Sequence, residues 1–290
     1  MCAAIHPPPP EKSVQPSILF VSSNHFFPRL TLQPDNPVSI PILAELVPDG
    51  IKPGTLFLVE FDPESHWLAL ATTITASYLR AGGRVCYVAQ VRSPETVREN
   101  LLTLGVDVSE AINEGRFHFD DWYTATLTGG RLETGGSSLT EPIGGGGLRW
   151  RSLKVADLSV QWSKDSKQGL ESSDAFQPWP PGALSVMESA SQMLRFNEEK
   201  PYLEWLISRD HPNVRRAKRV SLDGVLRGVH TESFYKNLES DFDAVIDLRV
   251  MERDEEVKNL LRLRSLKGQR HDTRWHEIQI KRNGEATLVT

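Results

Sequence analysis

The sequence predicts an α/β protein: a mostly parallel central sheet flanked by helices and finished by antiparallel strands at the C-terminus. Three observations carry that prediction. An apolar run, Leu56 to Glu60, passes through a short loop, Phe61 to His66, into an apolar helix from Trp67 to Ala81 that stops at Gly82-Gly83. Strand-like and helix-like segments then alternate, a pattern that places helices on both faces of a parallel sheet. From Asn259 onward apolar and polar residues alternate singly, the period of a half-exposed antiparallel meander.

Taken in order, residues 1–16 are rich in proline and predict a disordered or polyproline arm ahead of a single domain over 17–290. Ser17 to Leu30 carries the apolar run Ile18-Leu19-Phe20-Val21, a candidate peripheral strand, and Val38 to Gly50 reads as a short helix before a turn. Arg84 to Gln90 is the second buried strand. Ser93 is an N-cap with Pro94 at the first helical position. Val97, Leu101 and Leu104 fall on one face of the helix that follows, and Gly105 ends it. Ser109 to Glu114 is another short helix and Arg116 to Phe119 the third strand. The pattern breaks over residues 124–181, a flexible Gly/Ser-rich insertion with at most two strands (Leu148 to Leu153 and Leu158 to Trp162). Ala183 to Glu188 (strand), Tyr202 to Ser208 (helix), Arg219 to Leu226 (strand), Glu232 to Leu238 (helix) and Ala244 to Leu248 (strand) restore the alternation. Asn259 to Arg264, Thr273 to Lys281 and Ala286 to Val289 form the closing meander.

The 290 residues are enough for a full core, and 39% apolar with 24% charged residues is a globular composition. A net charge of -5 argues against a surface devoted to nucleic acid. Two cysteines, Cys2 and Cys86, make neither a disulfide framework nor a cysteine metal site, which suits a reducing compartment. No apolar run spans a membrane and the first residues lack the pattern of a signal peptide, so a cytoplasmic protein is expected.

The strand–loop–helix at Leu56–Ala81 has the layout of a phosphate-binding junction without its chemistry. Such a loop reads Gly-x-x-x-x-Gly-Lys-Ser/Thr, because bare backbone must curl round phosphate and lysine must supply charge. Phe61, His66, Trp67 and Leu68 occupy those positions. Glu60, Asp62 and Glu64 add carboxylates near the cradle, and like charges ~4 Å apart repel by ~4 kcal/mol at an effective dielectric of 20. Asp62 followed by Pro63 is expected to cap the helix with its own side chain.

From Val38-Ser39-Ile40 through Asp49-Gly50-Ile51-Lys52-Pro53-Gly54, then Arg84 to Pro94, Phe242 to Leu248 and Leu266 to Trp275, the chain resembles KaiC-type members of the RecA-like ATPase superfamily. That resemblance implies a RecA-like fold. It places the phosphate-loop lysine at Trp67, the magnesium-binding threonine at Leu68, the paired catalytic glutamates at Val91 and Arg92, and the magnesium-orienting aspartate at Glu188. Four of these five roles are erased and one is altered, so no ATP hydrolysis is expected, and no cofactor, although bound ATP is weighed as the rival. Glu188 has a dull reading too, as a satisfied polar group at a sheet edge.

In ring-forming relatives a Lys-x-Arg-Gly turn reaches the neighbour's nucleotide. Here the turn is Ser265-Leu266-Lys267-Gly268, so Lys267, with Arg270, His271 and Arg274 nearby, is the candidate trans-acting cluster. Arg215, Arg216, Lys218 and Arg219 form a compact basic run that could meet nucleic acid, or be a charged connector. Gly144 to Gly147 follows no strand and opens no helix, so it reads as a linker. Histidine spacing suggests no metal site. The leading expectation is an inactive subunit of a homo-oligomer, or of a hetero-oligomer with active RecA-like paralogues. The alternatives are an ATP-binding switch without turnover, an Elongator-like subunit in tRNA modification, and a DNA-binding recombinase paralogue.

Overall fold

The structure, a computed structural model, describes residues 36–127, 151–152, 181–195, 198–253 and 256–289. The proline-rich arm, the Ser17 to Leu30 strand, Gly144 to Gly147 and the Leu158 to Trp162 strand lie outside them. In chain order the elements are α1 (Pro41–Ala44), β1 (Leu56–Phe61), α2 (Trp67–Arg80), β2 (Val85–Ala89), α3 (Pro94–Thr103), α4 (Val108–Asn113), β3 (Phe117–Asp121) and α5 (Trp122–Leu127). They continue as β4 (Arg151–Ser152), β5 (Leu184–Met187), α6 (Ala190–Leu194), α7 (Glu199–Trp205), a π-helical turn (Leu206–Asp210), α8 (His211–Arg216), β6 (Val220–Leu226) and α9 (Glu232–Asp241). The chain ends in β7 (Ala244–Arg253), β8 (Glu256–Leu266), β9 (His276–Ile280) and β10 (Ala286–Val289).

The strands form one 10-stranded sheet in the order β10-β9-β8-β7-β1-β6-β5-β2-β3-β4. Every pairing from β7 to β4 is parallel. The β7–β8, β8–β9 and β9–β10 pairings are antiparallel. Central β1 is buried at every residue, so its two sets of alternating side chains serve two cores. Phe57, Val59 and Phe61 join the core under α1 to α4, while Leu56 and Leu58 join the one under α6 to α9.

Local chemistry sets the ends of the elements. Ser93 accepts a hydrogen bond from the Thr96 amide and Pro94 opens α3. Asp107 caps α4 through the Ser109 amide at 2.8 Å. Gly82, at φ +83°, closes α2 in the left-handed conformation that glycine adopts without steric cost. The single helix expected over Tyr202 to Ser208 is instead a longer unit, α7 to α8, interrupted by the π-turn. Pro212 supplies the reason: it offers no amide, and its ring crowds the carbonyl four residues back, so the turn widens. β7 and β8 run well past the strands expected at Leu248 and from Asn259.

Three arginines of the β7–β8 hairpin neutralise two buried carboxylates that lie side by side on β1 and β7, Glu60 and Asp247. Asp247 accepts from Arg249 and Arg262, each at 2.7 Å. Glu60 accepts from Arg264 at 3.1 Å, and Arg264 also holds Glu239 at 2.7 Å. Glu60 therefore points away from the loop that follows β1, which corrects its assignment to the cradle. Burial, then the neighbouring Glu239, raises the Glu60 pKa to about 7, against Arg264. The folded state thus holds a proton that the unfolded chain releases near 4.5, so stability falls as pH rises between those values. Glu60→Gln is expected to flatten that slope and gain about 1 kcal/mol relative to wild type at pH 8 over pH 5, read by urea unfolding at the two pH values.

Candidate functional site

In an open parallel sheet, ligands bind in the crevice beyond the carboxyl ends of the strands. Here that crevice lies over β1, β6, β5 and β2, and its occupants belong to the chain itself. The loop from β1 to α2 contains no glycine and is pinned to β7 and β8. The Asp62 amide donates to the Leu248 carbonyl at 3.1 Å and Asp62 Oδ2 accepts from the Val250 amide at 3.0 Å. The His66 amide donates to Asn259 Oδ1 at 2.9 Å. His66, not Asp62, is the N-cap of α2, and no side chain caps that helix. The expected Asp62 cap is therefore wrong, because β7 takes its carboxylate. Glu64 is exposed, so the three carboxylates do not converge on one cradle. Burial lowers the pKa of His66, which favours its neutral form.

Trp67 turns inward from the first turn of α2 and is 1% exposed. Its indole Nε1 donates to the Glu188 carbonyl at 2.7 Å, and its ring stacks on Phe61 at 6.2 Å between centroids. The indole thus spans from α2 to the end of β5 across the intervening β6. It passes Gly224 so closely that a Cβ there would sit 2.5 Å from Nε1 and 2.4 Å from the Glu188 carbonyl oxygen. Leu68, half-buried, packs on the core under α1 to α4.

Glu188 follows β5, which lies between β2 and β6 and so inside the sheet, correcting the edge position expected for it. It is fully buried and fully engaged. Oε2 accepts from three successive amides, Gln90 at 2.9 Å, Val91 at 2.7 Å and Arg92 at 3.1 Å. Oε1 accepts from Tyr87 Oη at 2.9 Å and Arg92 Nε at 2.7 Å. A carboxylate offers about four lone-pair positions. Five donors use them up, and a metal ion would have to displace one.

The guanidinium of Arg92 also donates to Thr72 Oγ1 of α2 at 3.0 Å and to Tyr87 Oη. A fixed cation therefore stands beside the carboxylate that the resemblance assigns to magnesium. Burial opposes the charge on Arg92, but Tyr87 and Glu188 outweigh it and raise its pKa. Burial also pushes the Tyr87 hydroxyl well up, so it stays protonated and donates to Glu188. Val91 contributes only its backbone.

The basic positions are scattered by the fold. Arg219 is 7% exposed, buried near Asp210 and Asp223, so it is not part of a surface patch. Arg215 is tied to Asp243 at 3.3 Å, and Arg216 reaches Asn213. Lys218 adopts φ 52° at the turn into β6. In the C-terminal turn Lys267 Nζ donates to the Ser240 carbonyl at 2.7 Å, closing the end of α9 within its own chain. Arg274 forms a forked pair with Asp272, and His271 Nδ1 lies 3.0 Å from the Gln269 carbonyl. Lys267, Arg270 and Arg274 are all exposed, while His271 is half-buried.

Sequence reasoning missed two groupings. The Arg92–Glu188–Tyr87 contact joins residues about a hundred positions apart, although the Val91-Arg92 dipeptide gave a signal by displacing acids. Asp210, His211 and Asp223 also come together, within 4.8 Å of one another. No spacing rule announces that triad, because Asp223 belongs to a different element from the other two.

These features define the class: a mixed α/β chain with the KaiC/RecA-like fold, a mostly parallel sheet extended by C-terminal antiparallel strands. The crystal structure of a KaiC-like protein from the hyperthermophilic archaeon Pyrococcus horikoshii OT3 superposes with a TM-score of 0.54 over 88% of this chain and 99% of that one, at 15% identity. At that identity the likeness shows the fold alone. No family model and no curated protein sequence matches the chain. Among the described residues no helix is long and apolar enough to cross a membrane.

Proposed function

We propose that this chain is a catalytically inactive subunit of the KaiC/RecA-like fold that acts as a scaffolding or regulatory component of an oligomeric assembly. One observation carries the reading: the crevice at the strand ends is filled by Trp67 and by the Arg92–Glu188 pair. The residues present do not suit a magnesium nucleotide. Hydrolysis needs a cation on the terminal phosphates and a carboxylate to orient water. The position for the first holds a buried indole, and Val91 and Arg92 supply no carboxylate for the second. The partner is a further copy of the chain or an active RecA-like paralogue, and exposed Arg270 is the cation offered to it, since Lys267, equally exposed, is tied to the Ser240 carbonyl. An Elongator-like role in tRNA modification is one setting for such a subunit. A recombinase-like role on DNA draws little support, since Arg219 is buried.

A second reading has its own observation. The N-terminus of α2 has no capping side chain, and the buried Gln90 Nε2 lacks a hydrogen-bond partner. Both suit an anion held without turnover, as in an ATP-binding switch. Mg–ATP is expected to leave the melting temperature of the full chain unchanged and to release no phosphate. Occupancy at 100 times Kd would stabilise the protein by about 2.7 kcal/mol and establish the switch instead. Sedimentation above the monomer mass supports self-assembly. A strict monomer at high concentration removes the homo-oligomer and leaves the hetero-oligomer.

A further inference from the structure

On the face of β6 opposite Leu222, beneath the π-turn, three potential ligands come together: Asp210, His211 and Asp223. They lie on the α6 to α9 side of the sheet, and their chemistry is independent of the crevice that holds Trp67. Each of the two inner members has one polar atom tied and one idle. His211 is fully buried, its Nδ1 is bonded to Asp241 Oδ2, and its Nε2 has no partner. Asp223 is 2% exposed, its Oδ1 accepts from Ser221 Oγ at 2.6 Å, and its Oδ2 has no partner. Asp210 is half-buried and supplies the solvent side of the group.

Two idle buried acceptors side by side are a costly arrangement, since each forfeits its hydration for nothing. Their supports have a known use. A metal-binding imidazole donates its other N–H to a carboxylate, which fixes the tautomer and aims the free nitrogen's lone pair. Asp241 does that for His211, whose burial lowers its pKa against the pull of Asp210 and Asp241 and so favours the neutral ring. Ser221 likewise fixes the carboxylate of Asp223. The π-turn forced by Pro212 carries the adjacent residues Asp210 and His211 into one group, although successive residues of a regular helix diverge by about 100°.

Arg219 is the rival cation. It is buried close enough to draw down the pKa of both Asp210 and Asp223, yet its Nε makes no hydrogen bond. Arg92 shows what neutralisation by contact looks like in this chain, with Nε on Glu188 at 2.7 Å. Against Arg219, burial still raises Asp210, and it raises Asp223 to about 7. A divalent ion among the three would relieve that penalty.

We propose that Asp210, His211 and Asp223 form a divalent-metal site of the zinc or manganese class, with Asp241 and Ser221 as its positioning residues. One imidazole nitrogen and two carboxylates suit borderline-to-hard dications rather than soft ones. Ligands about 2.0–2.2 Å from zinc stand roughly 3–3.5 Å apart, so the group closes by about an ångström on binding. The half-buried Asp210 side chain supplies that movement. Three protein ligands leave a fourth position to water.

The test is equilibrium dialysis of the tag-free full chain against Zn2+ and, separately, Mn2+. It is read by elemental analysis, by melting temperature, and by the visible absorption of the Co2+-substituted protein. One equivalent per chain and a raised melting temperature are expected. His211→Ala and Asp223→Asn are each expected to lose more than ten-fold in affinity. Asp241→Asn, which removes no ligand, is expected to weaken binding by about 10–100-fold. If either ligand variant fails to fold, wild type and Asp241→Asn decide. A wild-type chain that retains no stoichiometric metal overturns the site and leaves an ordered water as the partner of the idle atoms. Unchanged affinity in the folded variants overturns it equally, by placing the metal elsewhere.

Discussion

Glu188→Ala is expected to destabilise the protein by about 3–5 kcal/mol, because removing one partner of a buried ion pair strands the other. The stranded group is the Arg92 guanidinium, whose side chain is 12% exposed. Three amides and the Tyr87 hydroxyl lose their acceptor at the same time. Glu188→Gln keeps an acceptor for part of that set and is expected to cost less, though its amide must face a donor. The double variant Glu188→Gln with Arg92→Met, which removes both charges at similar volume, is expected to recover much of the loss. Urea unfolding of wild type, Glu188→Gln, Arg92→Met and the double variant forms a double-mutant cycle. Additive losses in Glu188 and Arg92 would sink the claim that the two act as a pair.

Trp67→Ala is the second large effect expected, at about 3–5 kcal/mol for truncating a buried aromatic side chain. The loss of the indole bond to the Glu188 carbonyl adds an unpaired buried acceptor. Trp67→Phe separates the two contributions, since it keeps most of the ring volume and deletes only the donor, at about 1–3 kcal/mol. Tryptophan fluorescence and thermal melting measure both. A Trp67→Ala protein as stable as wild type would mean that the ring does not fill the crevice as described. The same variant, tested with Mg–ATP, shows whether an emptied crevice accepts a nucleotide.

Much of the scaffold was legible because its signals are local. Leu56–Glu60 and Val85–Ala89 are short apolar runs bounded by turns, and Ser93-Pro94 is a helix start written in two residues. The glycines at 82 and 105 are stops with a steric reason. What sequence could not show depended on contacts between distant segments. Asp62 looked like a cap until the Val250 amide, 188 positions away in sequence, claimed its carboxylate. Arg219 looked like part of a basic run until the fold buried it near Asp210 and Asp223. Glu188 was placed at a rim because strand order is not readable from strand sequence, and order alone puts β5 within the sheet. The π-turn was invisible since Pro212 reads as a break rather than as a widened turn. At the candidate site the absence of a glycine- and lysine-bearing loop was legible at Phe61, His66, Trp67 and Leu68. The replacement chemistry was not, for it needed the fold to bring Arg92 to Glu188.

Gly224 draws a last consequence from the way the indole lies across β6. With no side chain of its own, it leaves a channel one aromatic ring thick, and the ring makes that channel its bed. A lone Trp67→Lys substitution would thrust an ammonium into a dry, ring-shaped hollow beside Phe61. The arginine clamp on its far wall would remain shut. Several coordinated changes would be needed before a triphosphate found footing on this surface.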